Sequence, residues 1–146
     1  MENQLNPEPV NKKIKLSFKD SKYATGRRKK SIAKVWLKRG SGNIYVNEKK
    51  MVDYFKKPNL QISICRPLTL VKRENEFDIR CSVKGGGLSG QAGAIIHGLA
   101  RAIVLFEPEL KPALKKEKLT TRDSRGVERK KYGRRKARRS FQFSKR

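Results

Sequence analysis

One histidine, two cysteines and 13 acidic residues are few for a chain of 146, and each shortage excludes a chemistry. A zinc site needs about four ligands, and Cys65, Cys81 and His97 cannot supply one alone. The cysteines lie in apolar stretches with no second pair, so they read as reduced core residues. His97 sits inside a helical stretch, away from any Ser–Asp or metal-ligand pattern, and reads as structural or RNA-facing. The acids Asp53, Asp78, Glu107, Glu109, Asp123 and Glu128 show no pairing. No cofactor, metal or catalytic constellation is therefore expected, and the chain does not read as an enzyme. Apolar runs are short too: none approaches the roughly 18 residues of a membrane-spanning helix. The N-terminus, Met1-Glu2-Asn3-Gln4-Leu5-Asn6-Pro7-Glu8-Pro9, has neither an apolar signal core nor an Arg-rich amphipathic pattern. We expect a short disordered extension on a protein made in the compartment where it works.

What the chain has is positive charge. Thirty-eight Lys and Arg give a net charge of +25, which needs an anionic partner. DNA, RNA and anionic membranes are the candidates, with membranes the weakest. Residues 111–146 hold sixteen cations against three acids, and the last eighteen residues hold ten cations and no acid. That segment cannot bury enough apolar surface to fold by itself. Its cations are interleaved with Tyr132, Phe141 and Phe143. Arg pairs with phosphates and stacks on bases, and aromatic rings offer platforms to unpaired bases. Ordering eighteen residues costs about 18–36 kcal/mol of backbone entropy, which a large RNA could offset through many charge-assisted contacts. Free in solution, the chain from about Arg122 onward should be disordered.

Periodicity organises the rest. Ser31–Leu37 alternates, with Ala33, Val35 and Leu37 on one face and Ile32, Lys34 and Trp36 on the other, which predicts a strand. The Arg39–Gly42 turn and a strand over Asn43–Val46 would complete a hairpin. Asn47 should cap a short helix, Glu48–Phe55, closed by Pro58. Residues 60–71 fit strand or helix. Phe77–Lys84 is the cleanest strand: Phe77, Ile79, Cys81 and Val83 inward, Asp78, Arg80, Ser82 and Lys84 outward. A long helix follows over Ser89–Phe106, with an apolar stripe at Ile95, Leu99, Ala102, Ile103 and Phe106. Ala92, Ala94, Gly98 and Ala100 keep it narrow enough to pack closely. Pro108 ends it, and Pro112 opens a last short helix near Ala113–Lys118. These elements predict an α+β fold, a small mixed sheet with helices packed against it. The domain limits are an extension over 1–21, a globular RNA-binding domain over 22–118 and an extended basic tail over 119–146.

Gly85-Gly86-Gly87-Leu88-Ser89-Gly90 matches G-x-G-x-x-G between a strand and a helix, the local setting of a dinucleotide-binding fingerprint. That fingerprint opens a βαβ unit of a parallel sheet, and nothing after this helix reads as another βαβ unit, so we reject it. Gln91 and Ala92 also fail the P-loop pattern. Two readings stay open. The glycines serve either a tight strand-to-helix connection or close backbone approach to an RNA phosphate.

Three motifs together resemble a specific family. They are Tyr23-Ala24-Thr25-Gly26-Arg27-Arg28-Lys29-Lys30-Ser31-Ile32-Ala33; Val83 through Ile95 with His97-Gly98 and Ala100-Arg101-Ala102; and Leu119 through Arg125, then Glu128 through Gly133 to the terminal Gln142-Phe143-Ser144-Lys145-Arg146. Over residues 22–146 the chain resembles the universal small-subunit ribosomal protein nine, of bacterial or organellar type. The resemblance implies a two-layer α/β sandwich like the second domain of ribosomal protein five. It implies a place in the small-subunit head on the 3′ major domain of ribosomal RNA, beside other head proteins. Ribosomal RNA contacts would be Arg27, Arg28, Lys29, Lys30, Lys84, Gly85, Gly86, Gly87, Arg122, Arg125, Arg129, Lys130, Lys131, Arg134, Arg135, Lys136, Arg138 and Arg139. Ser144, Lys145 and Arg146 would reach the anticodon stem-loop of peptidyl-site tRNA. The ribosome would be that of a bacterial cytoplasm, or of a mitochondrion or plastid encoding its own copy. The competing reading is an RNA or DNA chaperone that binds by charge alone.

Overall fold

The computed structural model describes residues 18–145. Residues 1–17 of the expected extension, and Arg146, lie outside the described residues. The elements are β1 (Lys22–Arg28), β2 (Ser31–Arg39), β3 (Ile44–Val46), β4 (Lys49–Lys50), α1 (Met51–Tyr54), α2 (Pro58–Leu70), β5 (Phe77–Lys84), α3 (Leu88–Phe106), a 3₁₀ turn (Pro108–Leu110) and α4 (Lys111–Lys116). The five strands form one mixed sheet in the order β1-β2-β5-β3-β4, so the expected α+β class is what the chain adopts.

The strand faces follow the alternation. Ala33, Val35 and Leu37 of β2, and Phe77, Ile79, Cys81 and Val83 of β5, are buried. They pack under α3, whose Ile95, Leu99, Ala102 and Ile103 are buried with them. Ile64 and Leu68 of α2 and Leu114 of α4 complete the core. By length and a mean hydropathy of 1.3, α3 does qualify as a membrane-spanning candidate, contrary to the sequence expectation. Most of its apolar residues face the core, where nine of its nineteen residues are buried, while Leu88 and Leu105 are exposed.

Close packing of α3 on β1 depends on two glycines. A Cβ at Gly26 would overlap the Ala94 carbonyl oxygen and the Gly98 backbone, and one at Gly98 would lie 2.8 Å from Val35 Cγ2. The narrow helix face thus meets a strand with no side chain at the crossing. The exposed edge of β1 is covered by the same helix. The Arg27 N–H donates to His97 Nδ1 (3.3 Å) and Arg101 Nη1 donates to the Thr25 carbonyl (2.7 Å). Backbone groups that would otherwise invite another strand are thereby satisfied.

Three expectations are corrected. β2 and β3 do not form a hairpin: β5 lies between them, antiparallel to β2 and parallel to β3. β1, which charge and glycine hid, is the true hairpin partner of β2. Asn47 does not cap a helix. With Glu48 it forms a two-residue turn at φ 47° and 67° between β3 and β4, the geometry that favours Asn in tight hairpins. Its amide instead pairs with the Val83 backbone on β5, donating to the carbonyl (3.1 Å) and accepting from the N–H (2.8 Å). Pro58 opens α2 rather than closing a helix, and the ambiguous 60–71 stretch is helical despite Pro67 inside it.

Candidate nucleic-acid interface

Two motifs far apart in sequence meet at one end of the sheet. Ile32 of β2 pairs with Lys84 of β5, so the β1–β2 turn at Lys29-Lys30 lies against the β5–α3 glycine loop. Ser31, buried in that junction, donates its hydroxyl to the Gly85 carbonyl (3.0 Å), and Gln91 Nε2 donates to the same oxygen (3.1 Å). Gly85 and Gly86 have φ of 73° and 63°, where other residues are strained. A Cβ on Gly85 would stand 2.6 Å from the Lys30 carbonyl, and one on Gly86 would overlap the Ser31 hydroxyl. These two glycines serve the tight connection. Gly87 has extended backbone with nothing within 4 Å of a Cβ, and heads α3 without a side-chain cap. Arg27, Lys29, Lys30, Lys84 and the glycine loop therefore share one basic end. After α3 no strand follows among the described residues.

The tail starts beside this end. Leu119 is buried at the core margin. Arg28 reaches across to it: Nη1 donates to the Arg125 carbonyl (2.7 Å) and Nη2 pairs with Asp123 Oδ2 (3.0 Å). Asp123 also accepts from the Arg125 backbone N–H (3.0 Å) and from its guanidinium (2.9 Å). The Arg125 hydrogen bonds, with Arg28 adding charge, hold the Asp123 carboxyl well below the usual carboxylate range. His97 is pushed below the ordinary histidine value by burial first, then by Arg101 and Arg122, against a hydrogen bond with the Thr120 backbone that raises it. It is thus a neutral imidazole joining β1, α3 and the tail's first residues.

Further on, the tail is exposed. Glu128 is held ionised by Lys131 and by Arg138 Nε at 2.9 Å, so two acids that showed no pairing in the sequence organise the tail's cations. The chain turns at Gly133 (φ 71°), and the Arg135 N–H donates to the Arg139 carbonyl (2.8 Å). Arg129, Lys130, Lys131, Arg134, Arg135, Lys136, Arg138 and Arg139 lie along this stretch. Tyr132 and Phe143 stand fully in solvent. Ser144 accepts from Gln142 Nε2 at 3.1 Å, with Lys145 beside it.

Sequence reasoning missed the sheet's outer face. Strand register lines up Tyr23, Trp36, Arg80, Tyr45 and Lys50, one residue from each of the five strands. The alternation had placed Trp36 and Arg80 outward; only the strand order brings them into one row. Both cysteines are free. Cys81 is buried, its thiol pushed up to about 12 by burial, while Cys65 is only partly covered. Among the described residues, no three His, Cys, Asp or Glu side chains gather as a metal site.

The family model of ribosomal protein S9/S16 matches residues 26–146, from the glycine that admits α3 to the last residue of the tail. Proteins of such a family are generally not enzymes. The match takes in both the basic end and the tail, and the chain belongs to the ribosomal protein S9/S16 family, as an RNA-binding protein of the ribosome that serves translation.

Proposed function

We propose that the protein is a structural constituent of the small ribosomal subunit of a bacterial-type ribosome, in a bacterial cytoplasm or an organelle with its own copy. It holds the 3′ major domain of ribosomal RNA in the subunit head, next to other head proteins. The carrying observation is the meeting of the Lys29-Lys30 turn with the glycine loop at one basic end, and the tying of the tail to that end by Arg28. Arg27, Lys29, Lys30 and Lys84 supply phosphate contacts, and Gly87 admits a sugar-phosphate chain to the head of α3. Arg122 and Arg125 through Arg139 anchor the tail in RNA. Ser144, Lys145 and Arg146 touch the peptidyl-site tRNA stem-loop.

Deleting Lys145 and Arg146 tests the tail's role. Small subunits should assemble with the protein at normal stoichiometry but release peptidyl-site tRNA faster. Unchanged tRNA affinity under limiting conditions would remove the tRNA contact from the proposal. Sedimentation in low-magnesium lysate separates this reading from a charge-only chaperone, which would run free or polydisperse.

A further inference from the structure

The outer face of the sheet carries aromatic and cationic side chains together. Across its five strands runs the row Tyr23–Trp36–Arg80–Tyr45–Lys50. The Tyr23 and Trp36 ring centroids are 5.3 Å apart, and the Arg80 guanidinium lies 5.6 Å over the Trp36 ring. The next rows are Thr25–Lys34–Ser82 and Arg27–Ile32–Lys84, with Lys38 opposite Asp78 on the other side. Among the described residues Asp78 is the one acid in any strand, and its Oδ1 is already taken by the Ser41 and Asn43 N–H groups at 3.0 Å. Tyr23 and Ile32 are 44% and 43% exposed on this face. The helices that build the core, α2 and α3, lie on the opposite side.

Cross-strand aromatic pairs do stabilise sheets, but sheet packing alone does not call for Arg27, Lys34, Lys38, Arg80, Lys84 and Lys50 around them. Cations flanking rings on an open sheet are complementary to a strand of unpaired nucleotides, whose phosphates need charge and whose bases need flat apolar surfaces. A strand spacing of about 4.8 Å gives the row a width of roughly 19 Å, sufficient for two or three stacked bases. A protein partner would need its own acids to neutralise this face. We propose that the outer sheet face, centred on Trp36 and Tyr23, is a second RNA-binding surface that stacks unpaired bases of a loop or bulge. This rests on the reading that the protein binds ribosomal RNA, and adds a surface distinct from the tail, with a preference for single strands.

Trp36 is the only tryptophan, so its emission reports on this face alone. The full chain is titrated with a mixed-sequence single-stranded RNA of about eight nucleotides, within the usual site size, and with an RNA duplex of equal phosphate number. Total binding is followed by the anisotropy of a label on the RNA. The single strand should quench Trp36 in step with binding, and the duplex should bind with little quenching. Tyr23→Ala should weaken the quenching titration on the order of tenfold, while Tyr23→Phe, which keeps the ring and the sheet packing, should not. Binding of the single strand without quenching overturns the proposal and leaves the tail reading standing; no binding of either RNA overturns both. Equal quenching by the duplex overturns it, as does quenching that rises with protein concentration before RNA is added, which would assign the face to a second copy of the chain.

Discussion

At the scale of single residues, the crossing of α3 over β1 is set by the absence of atoms. Gly26 contributes no side chain; its hydrogen occupies the only space left between the strand and the Ala94 carbonyl. Both neighbours of a new methyl group would be backbone, which cannot rotate aside. Gly26→Ala should therefore cost roughly 3 kcal/mol or more, at or above the upper end of ordinary overpacking, read as a lowered urea midpoint. Gly87→Ala, where a Cβ meets nothing, should leave that midpoint nearly unchanged. His97 gives a second residue-scale prediction. Its folded pKa is depressed, so between that value and the ordinary one near 6.5 the unfolded chain binds the extra proton. Stability is fully present above about 6.5 and falls as pH drops toward the folded pKa. Protonated Nδ1 could also no longer accept the Arg27 N–H. Urea midpoints taken across this range should slope for the natural chain and flatten for His97→Gln.

Elements differ in how much of them could be read from the chain. β5 and α3 were legible because their faces are set by long, regular apolar periods, and the structure keeps their limits to within a residue. The β2–β3 hairpin was misread because a turn rich in glycine looks the same whether or not a third strand enters between its arms. β1 was invisible because its inward positions are Ala24, Gly26 and Arg28, small or charged residues that leave no apolar alternation. Asn47 has two roles open to it by chemistry, cap or left-handed turn, and only the distance to Val83 decides. Of the candidate site, the charges were legible and their convergence was not, since it depends on the pairing of Ile32 with Lys84. The tail's first segment shows the same division. Arg28, expected on ribosomal RNA, spends its guanidinium on Asp123 and the Arg125 carbonyl. The loose tail should accordingly begin beyond Arg125 rather than at Arg122. Asp123→Asn should speed exchange of the Arg125 amide and hasten tryptic cleavage after Arg125, with the urea midpoint of the domain unmoved. Because the Asp123 carboxyl is held low, this contribution is present above the usual carboxylate pKa and is lost only as pH falls through the depressed value. Exchange at Arg125 that is already fast in the unaltered chain would contradict the clamp.

For the whole molecule, folding and binding are divided along the chain. The core runs from Ala24 to Leu119, whereas ten of the cations lie in the last eighteen residues. Removing residues 129–146 should therefore leave the urea midpoint nearly unchanged while altering how RNA binding depends on salt. Each phosphate neutralised contributes about −0.9 to the slope of log affinity against log salt on a duplex, and about −0.7 on a single strand. Ten tail cations could thus supply a slope of up to roughly −9, and the Lys145-Arg146 pair alone about −2. The domain left behind keeps the basic end at Lys29, Lys30 and Lys84, with a much shallower slope. Ring stacking on the outer sheet face exchanges no counterions, so its share of single-strand binding should be insensitive to salt, while the cations around the rings add a modest slope of their own. Binding isotherms at several salt concentrations, for the full and shortened chains, separate these parts. A shortened chain with the full slope would mean that the tail does not reach phosphates, and that the sheet end alone carries the affinity.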